Sequence, residues 1–159
     1  MTLTIASVNV NGIRAACKQR NENNPGMNAW LAETSADIVL MQEVRATPEQ
    51  AEKALAPALE MGWHLALADA AAKGRAGVGI LSRTPLADVE VGFGSFSDAG
   101  RWIAATTRDI RVASLYLPSG DTGSPKLDEK YRFLDEFQEV LAENLSLIHI
   151  SEPTRPERI

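Results

Sequence analysis

The sequence predicts a mixed α/β fold, and three observations carry that prediction. Asp37 to Arg45 reads DIVLMQEVR, an unbroken β-rich apolar run that turns abruptly polar, as a strand buried on both faces does at its end. Thr47-Pro48-Glu49-Gln50 then supplies an N-cap residue, a proline at the first helical position and a capping-box glutamine, which together start a helix. From Trp63 onward, short β-rich runs succeed one another between turn residues. The chain of 159 residues is long enough for one compact domain, with no internal repeat and no linker rich enough to divide its body.

Taken in order, Leu3 to Val10 alternates as a strand, with Leu3, Ile5, Ser7 and Asn9 on one side and Thr4, Ala6, Val8 and Val10 on the other. It ends in the polar turn Asn9-Val10-Asn11-Gly12, followed by Ile13 to Ala16 and an Asn-rich loop over Lys18 to Pro25. Met27, Trp30, Leu31 and Thr34 fall at helical spacing and predict a short amphipathic helix. After the central strand, the helix capped by Thr47 runs to about Glu60 with Ala51, Ala54, Leu55 and Ala58 inward, Pro57 kinking its end and Gly62 closing it. Strands are expected at Trp63 to Ala68, at Val78 to Ser82 and, on an edge, at Ala87 to Val91. A hairpin follows, Arg101 to Arg108 and Ile110 to Leu117 around a turn at Asp109. Lys126 to Glu143 reads as an amphipathic helix with Tyr131, Leu134, Phe137 and Leu141 on one face; Trp30 and Trp102 read as core, and His64 as a surface or strand-packing residue.

Composition narrows the function classes. With 45% hydrophobic and 23% charged residues the chain reads as globular, and no apolar run approaches the ~20 residues a membrane span needs. No basic segment or cleavage site follows Met1, so no secretory signal is expected, and a lone Cys17 points to a reducing, cytoplasmic compartment. A net charge of −5 argues against a general nucleic-acid-coating protein. It leaves room for an enzyme that grips phosphate through a bound cation, because the metal itself supplies the positive charge.

The tail stands apart. Leu145 to Arg155 reads codon for codon as the translation of a common transposase sequencing adapter. The expected organisation is therefore a partial domain over residues 1–144 and an adapter-derived, disordered tail over residues 145–159.

Four segments place polar residues at strand ends: Asn9 and Asn11, Glu43, the Gly74-Arg75-Ala76-Gly77 loop, and Tyr116 followed by Pro118-Ser119-Gly120. Their surroundings, ASVNVNGIRAA, DIVLMQEVRA, GRAGVGILSR and ASLYLPSGD, together resemble the exonuclease III / AP endonuclease branch of the endonuclease/exonuclease/phosphatase (DNase I-like) superfamily. The resemblance covers Thr4 to Phe137, and Asn-Gly-Ile-Arg-Ala favours the DNA-repair branch over phosphatase or sphingomyelinase relatives. It implies a four-layer α/β/β/α sandwich with two mixed β-sheets, truncated here to its N-terminal half, each half expected to supply one sheet and this one to expose an apolar inner face. It also implies Mg²⁺-dependent (alternatively Mn²⁺-dependent) cleavage of double-stranded DNA at abasic sites or 3′ ends, with 3′-to-5′ exonuclease and 3′-phosphatase activity, by a protein that is monomeric at full length.

Residue by residue, the resemblance makes Glu43 the metal-ligand glutamate and Asn11 its neighbour in arranging the metal. It makes Asn9 and Tyr116 the catalytic contacts to the scissile phosphate. Arg75 and Arg101 are expected as substrate contacts, a structural role competing for Arg101. The chemistry is coherent: a carboxylate holds a hard cation that acts as a Lewis acid, while amide and phenol donors stabilise the phosphate. Simpler readings stand beside it: Asn9 and Asn11 as turn residues, Tyr116 as a half-buried core residue, Gly74 and Gly77 as a tight turn.

The family's Gly-Asp-x-Asn strand and Ser-Asp-His motif do not occur in the sequence, so no general base is in sight, and an inactive, marginally folded polypeptide is expected. The alternatives are a Mg²⁺-dependent phosphatase or phosphodiesterase acting on a small molecule or lipid, a DNA-binding module, and a non-catalytic fragment.

Overall fold

The computed structural model describes residues 2–149, with side chains through Asn144. Residues through Tyr116 form one compact unit, and those from Leu117 onward a second.

The first unit is built on two sheets. Strands β1 (Ile5–Asn9), β2 (Ile38–Gln42), β3 (His64–Ala68) and β4 (Val78–Ser82) make a four-stranded sheet in the order β1-β2-β4-β3, while β5 (Ala87–Val91), β6 (Trp102–Thr107) and β7 (Ile110–Leu115) make a second. The first sheet is mixed, β1 running parallel to β2 and the other pairs antiparallel; the second is antiparallel throughout. This corrects the expectation of one sheet per half: strands of both sheets lie in this chain, and they cover each other. Ile38, Val78 and Ile80 of the first sheet are buried against Ile103, Ala105 and Val112 of the second. Removing such side chains from water contributes about 1.5–3 kcal/mol each. The expected bare inner face survives at the β1 edge, where Ile5, in register with Ile38, is 46% exposed.

The outer face of the four-stranded sheet carries helices α1 (Ile13–Ala16), α2 (Met27–Glu33), α3 (Pro48–Ala54) and α4 (Ala56–Glu60). Ile13, Met27, Leu31, Ala51 and Ala58 pack with Val39, Met41 and Leu81 into a separate core. The strand period of two explains the pair of cores, since Ile38 and Leu40 point one way from β2 while Val39 and Met41 point the other. Met41 has room because Gly79 stands opposite it: a Cβ at Gly79 would lie 2.9 Å from the Met41 methyl.

Local signals acted as read, with informative exceptions. The Thr47 capping box is formed in both directions, but the expected single helix breaks at Leu55, one turn before Glu60, where Pro57 cannot donate to the preceding turn. The hairpin turns on Arg108 and Asp109, both at positive φ, the paired left-handed geometry a two-residue hairpin loop needs. Trp102 is buried as expected and His64 is exposed, but Trp30 is 42% exposed, correcting its assignment to the core. Met27 and Leu31 already occupy the inward stripe of the short helix α2, which leaves Trp30 to its flank.

The second unit contains α5 (Pro125–His149), preceded by a turn in which Ser124 N–H bonds the Asp121 carbonyl at 3.1 Å. Within it Gly120 lies against Leu127 and Lys130, and the rings of Phe133 and Phe137 stack at 6.1 Å. Of the predicted apolar face of α5, Leu134 and Phe137 are half-buried as expected, but Tyr131 and Leu141 are exposed, and the fully buried residue is Phe133. The helix continues to His149, past the predicted junction at Asn144, because Leu145 to Ile148 contains neither glycine nor proline to stop it. The rest of the expected tail, residues 150–159, lies outside the described residues. No helix among the described residues is long and apolar enough to cross a membrane.

Candidate active site

Three strand ends from the two sheets meet in one place. Asn9 closes β1 and is in register with Gln42, the last residue of β2. Tyr116 follows β7, whose inward row Ile110, Val112, Ser114 leads directly to it. Strand alternation alone would send Glu43 away from these residues, to the side of Val39 and Met41. Glu43 instead adopts φ 52°, a left-handed conformation that breaks the alternation. Its carboxylate comes round to Asn9, whose Nδ2 donates to Oε1 at 2.8 Å, and faces the Tyr116 phenol, which helps hold the carboxyl ionised. The unusual conformation is held by ladder-like bonds on both sides: Gly12 N–H to the Glu43 carbonyl at 2.8 Å, and Val44 N–H to the Gly77 carbonyl at 2.9 Å. Gly77 therefore does more than turn the chain, since a Cβ there would sit 3.2 Å from the Arg45 nitrogen.

Asn9, Arg45 and Arg101 each have a defined orientation. Asn9 Oδ1 accepts the Asn11 N–H at 3.0 Å, so its amide nitrogen must face Glu43. Asn11 itself, at φ 45°, contributes its backbone to this turn and leaves its side chain exposed at the rim. Arg45 pairs with Glu43 Oε2, the carboxylate being only 14% exposed against 43% for the guanidinium. The Arg101 guanidinium lies 5.2 Å from the Tyr116 ring centroid and donates to the Tyr116 carbonyl at 3.3 Å. Arg101 thus supports the tyrosine from behind. Arg75 is not in this cluster. It lines a cavity of about 500 Å³ with Arg14, Arg45 and Lys73, a concentration of cations that one carboxylate, Asp69, shares. Arg14, Arg45 and Lys73 were missed as candidates, although the first two stand inside the motifs NGIRAA and QEVRA.

The electrostatics follow from these contacts. The Asn9 amide holds the Glu43 carboxyl below the usual glutamate range; partial burial opposes this, while Tyr116 and Arg45 assist it. Burial pushes the Tyr116 phenol up, and its bond to the Glu43 carboxylate pushes it further. Near neutral pH the site therefore holds an ionised carboxylate beside a protonated phenol. Among the described residues there is no group of three or more His, Cys, Asp or Glu side chains able to cage a metal. The donor set fits a hard divalent cation held through a single carboxylate, the mode in which waters and substrate oxygens complete the shell. An ionised carboxylate offers about four acceptor positions. Asn9, Tyr116 and Arg45 engage Glu43 without exhausting them.

The fold has counterparts among known proteins. The family model described as Endonuclease/Exonuclease/phosphatase family matches residues 6–149. An AP endonuclease from Archaeoglobus fulgidus is similar at 30% identity and TM-score 0.73, over 89% of this chain and 52% of that one. A 3′-5′ exonuclease from Neisseria meningitidis is similar at 28% identity and TM-score 0.76, again over 89% and 52%. A 3′ phosphatase from Neisseria, solved bound to a product DNA hairpin, is similar at 27% identity and TM-score 0.77, over 91% and 53%. The chain thus spans about half the length of each of these structures, and its two-sheet architecture is the DNase I-like fold they share.

Proposed function

This chain belongs to the endonuclease/exonuclease/phosphatase family, and from that premise we propose that it carries the phosphate-gripping half of the active site of a Mg²⁺-dependent DNA-repair phosphodiesterase. The activities proposed for the whole protein are incision beside abasic sites, 3′-to-5′ exonuclease action and removal of 3′-phosphates. The observation that carries the reading is the convergence of Asn9, Glu43 and Tyr116 from three strands of two sheets onto one carboxylate. The three similar structures support a DNA substrate, as does the cavity lined by Arg14, Arg45, Lys73 and Arg75, which suits a phosphate backbone.

In this reading Glu43, kept ionised by its donors, holds the cation, and Asn11 stands at the rim beside it. A bound Mg²⁺ supplies Lewis-acid neutralisation of charge on the phosphate. Tyr116, kept protonated and braced by Arg101, would turn its single hydroxyl proton from Glu43 to a non-bridging oxygen once a cation occupies the carboxylate, and the second N–H of the Asn9 amide is placed to donate to the phosphate as well. None of the site residues described above is suited to activate water, so binding without turnover is the expected outcome.

The test is fluorescence anisotropy with a labelled duplex containing one abasic analogue, in Mg²⁺ and in EDTA, with a denaturing gel in parallel. Expected are Mg²⁺-dependent binding, its loss in Glu43→Gln, and no incision. Binding indifferent to both Mg²⁺ and Glu43 would overturn the proposal. Displacement of the DNA by a small phosphodiester at equal affinity would move the assignment to a small-molecule substrate.

A further inference from the structure

One layer below the site lies a set of polar groups that the chemistry above does not use. The inward rows of two strands change from apolar to polar at the same level, Leu40 to Gln42 on β2 and Val112 to Ser114 on β7, with the exposed Ser7 of β1 beside them. Gln42 Nε2 lies 3.1 Å from Ser114 Oγ and 3.2 Å from Ser7 Oγ. Ser114, 1% exposed, donates its hydroxyl proton to the Met41 carbonyl at 2.8 Å. With its proton committed there, Ser114 Oγ must accept from Gln42, which fixes the polarity of the chain of bonds. The result is a closed ring, Gln42 amide to Ser114 hydroxyl to Met41 carbonyl, that fastens β7 of one sheet to β2 of the other.

Each member stands one or two residues from a site residue. Ser7 precedes Asn9 by two, Gln42 immediately precedes Glu43, and Ser114 precedes Tyr116 by two on the same face. Apolar packing between sheets tolerates small slides, whereas hydrogen bonds weaken steeply with distance and angle. A buried ring of fixed polarity is thus the stiffest link available between the strand that carries Glu43 and the strand that carries Tyr116.

We propose that Gln42 and Ser114 are positioning residues: their ring sets the separation of the Tyr116 hydroxyl from the Glu43 carboxylate, and through it the grip on the phosphate. The part concerning phosphate rests on the function proposed above; the part concerning separation does not, so the two fail separately.

The test needs no DNA. The chain has two tyrosines, Tyr116 in the site and Tyr131 on the exposed face of α5, so the Tyr116 ring-carbon NMR shift at neutral pH is read with Tyr131 as internal reference. Ser114→Ala is expected to move the Tyr116 shift toward that of Tyr131, as the phenol and carboxylate part. Ser114→Thr, which keeps the hydroxyl on a strand that accepts β-branched residues, is expected to restore it. Thr107→Val, which removes a buried hydroxyl elsewhere between the sheets, controls for general loosening and should leave Tyr116 unmoved. The proposal is overturned if Ser114→Ala leaves the Tyr116 shift as in wild type, if Ser114→Thr fails to restore it, or if Thr107→Val moves it as far.

Discussion

The two sheets are joined by hydrogen bonds at both ends of β2, and the two joints differ in what stands beyond them. At its start, Ile38 is in register with Ser82, whose hydroxyl meets Thr107 Oγ1 at 3.3 Å, with Thr84 bonded to the same Thr107. At its finish, Gln42 meets Ser114 at 3.1 Å. Both joints are hydroxyl-rich, both cross between sheets, and both sit where the apolar rows end. The Ser82 joint leads to the tight hairpin turn at Arg108 and Asp109, both exposed, where Arg108 pairs with Asp37 at 3.5 Å. The Gln42 joint leads to an ionised glutamate, a protonated tyrosine and an oriented asparagine. The same fastening therefore serves stability at one end and geometry at the other, and the residues above it decide which.

The contrast can be broken or sharpened by four measurements. Glu43→Gln removes the charge that the finish of β2 exists to hold. It should weaken Mg²⁺-dependent binding of abasic DNA by about 10²-fold in anisotropy, in keeping with the weight of preorganised electrostatics at such sites. Ser114→Ala strands the Met41 carbonyl and the Gln42 amide, and denaturant melts should register about 1–3 kcal/mol of lost stability, the cost of leaving buried polar groups unpaired. Thr107→Val leaves Ser82 and Thr84 bonded to each other at 3.3 Å, so its loss should be nearer the ~0.5–1.5 kcal/mol of one net hydrogen bond. An equal loss from both variants would erase the distinction between the joints.

The smallest effect is expected from pH. Glu43 is depressed in the folded chain, so the stability it lends is full above the ordinary glutamate pKa and is lost as pH falls through its lower folded value. Tyr116 is raised, so its share is full below the ordinary tyrosine pKa and is lost as pH rises through the folded value. Glu43→Gln should flatten the acid limb of a stability profile. Tyr116→Phe should flatten the alkaline limb, and Thr107→Val should touch neither.

Much of this architecture was legible from patterning. The capping box at Thr47, the edge strand at Ala87 to Val91 and the hairpin at Asp109 depend on residues within a few positions of one another, and short-range chemistry decides them. The identities of Asn9, Glu43 and Tyr116 came from motifs at strand ends. What could not be read was how they meet. Alternation along β2 points Glu43 the wrong way, and only the turn at φ 52°, buttressed by Gly12 and Gly77 from distant segments, reverses it. The same limit hid the cation cluster, since Arg14, Arg45 and Arg75 come from separate segments that only the tertiary fold brings together. Trp30 was misread because helical spacing gives a face but not how much of that face the neighbours need.

The hairpin of β6 and β7 bears on the order in which the site assembles. Its turn is two residues long, and hairpins close in about 1–10 μs. Arg101 and Tyr116 lie at its open end, so that side of the site can form early and locally. The Asn9–Glu43 bond spans 34 positions of sequence and the Gln42–Ser114 bond spans 72, contacts whose loop-closure entropy makes them late. The phenol therefore waits for its carboxylate. Pulse-labelled hydrogen exchange should protect β6 and β7 amides before those joining β1 to β2, and the ability to hold phosphate should appear only with the second event.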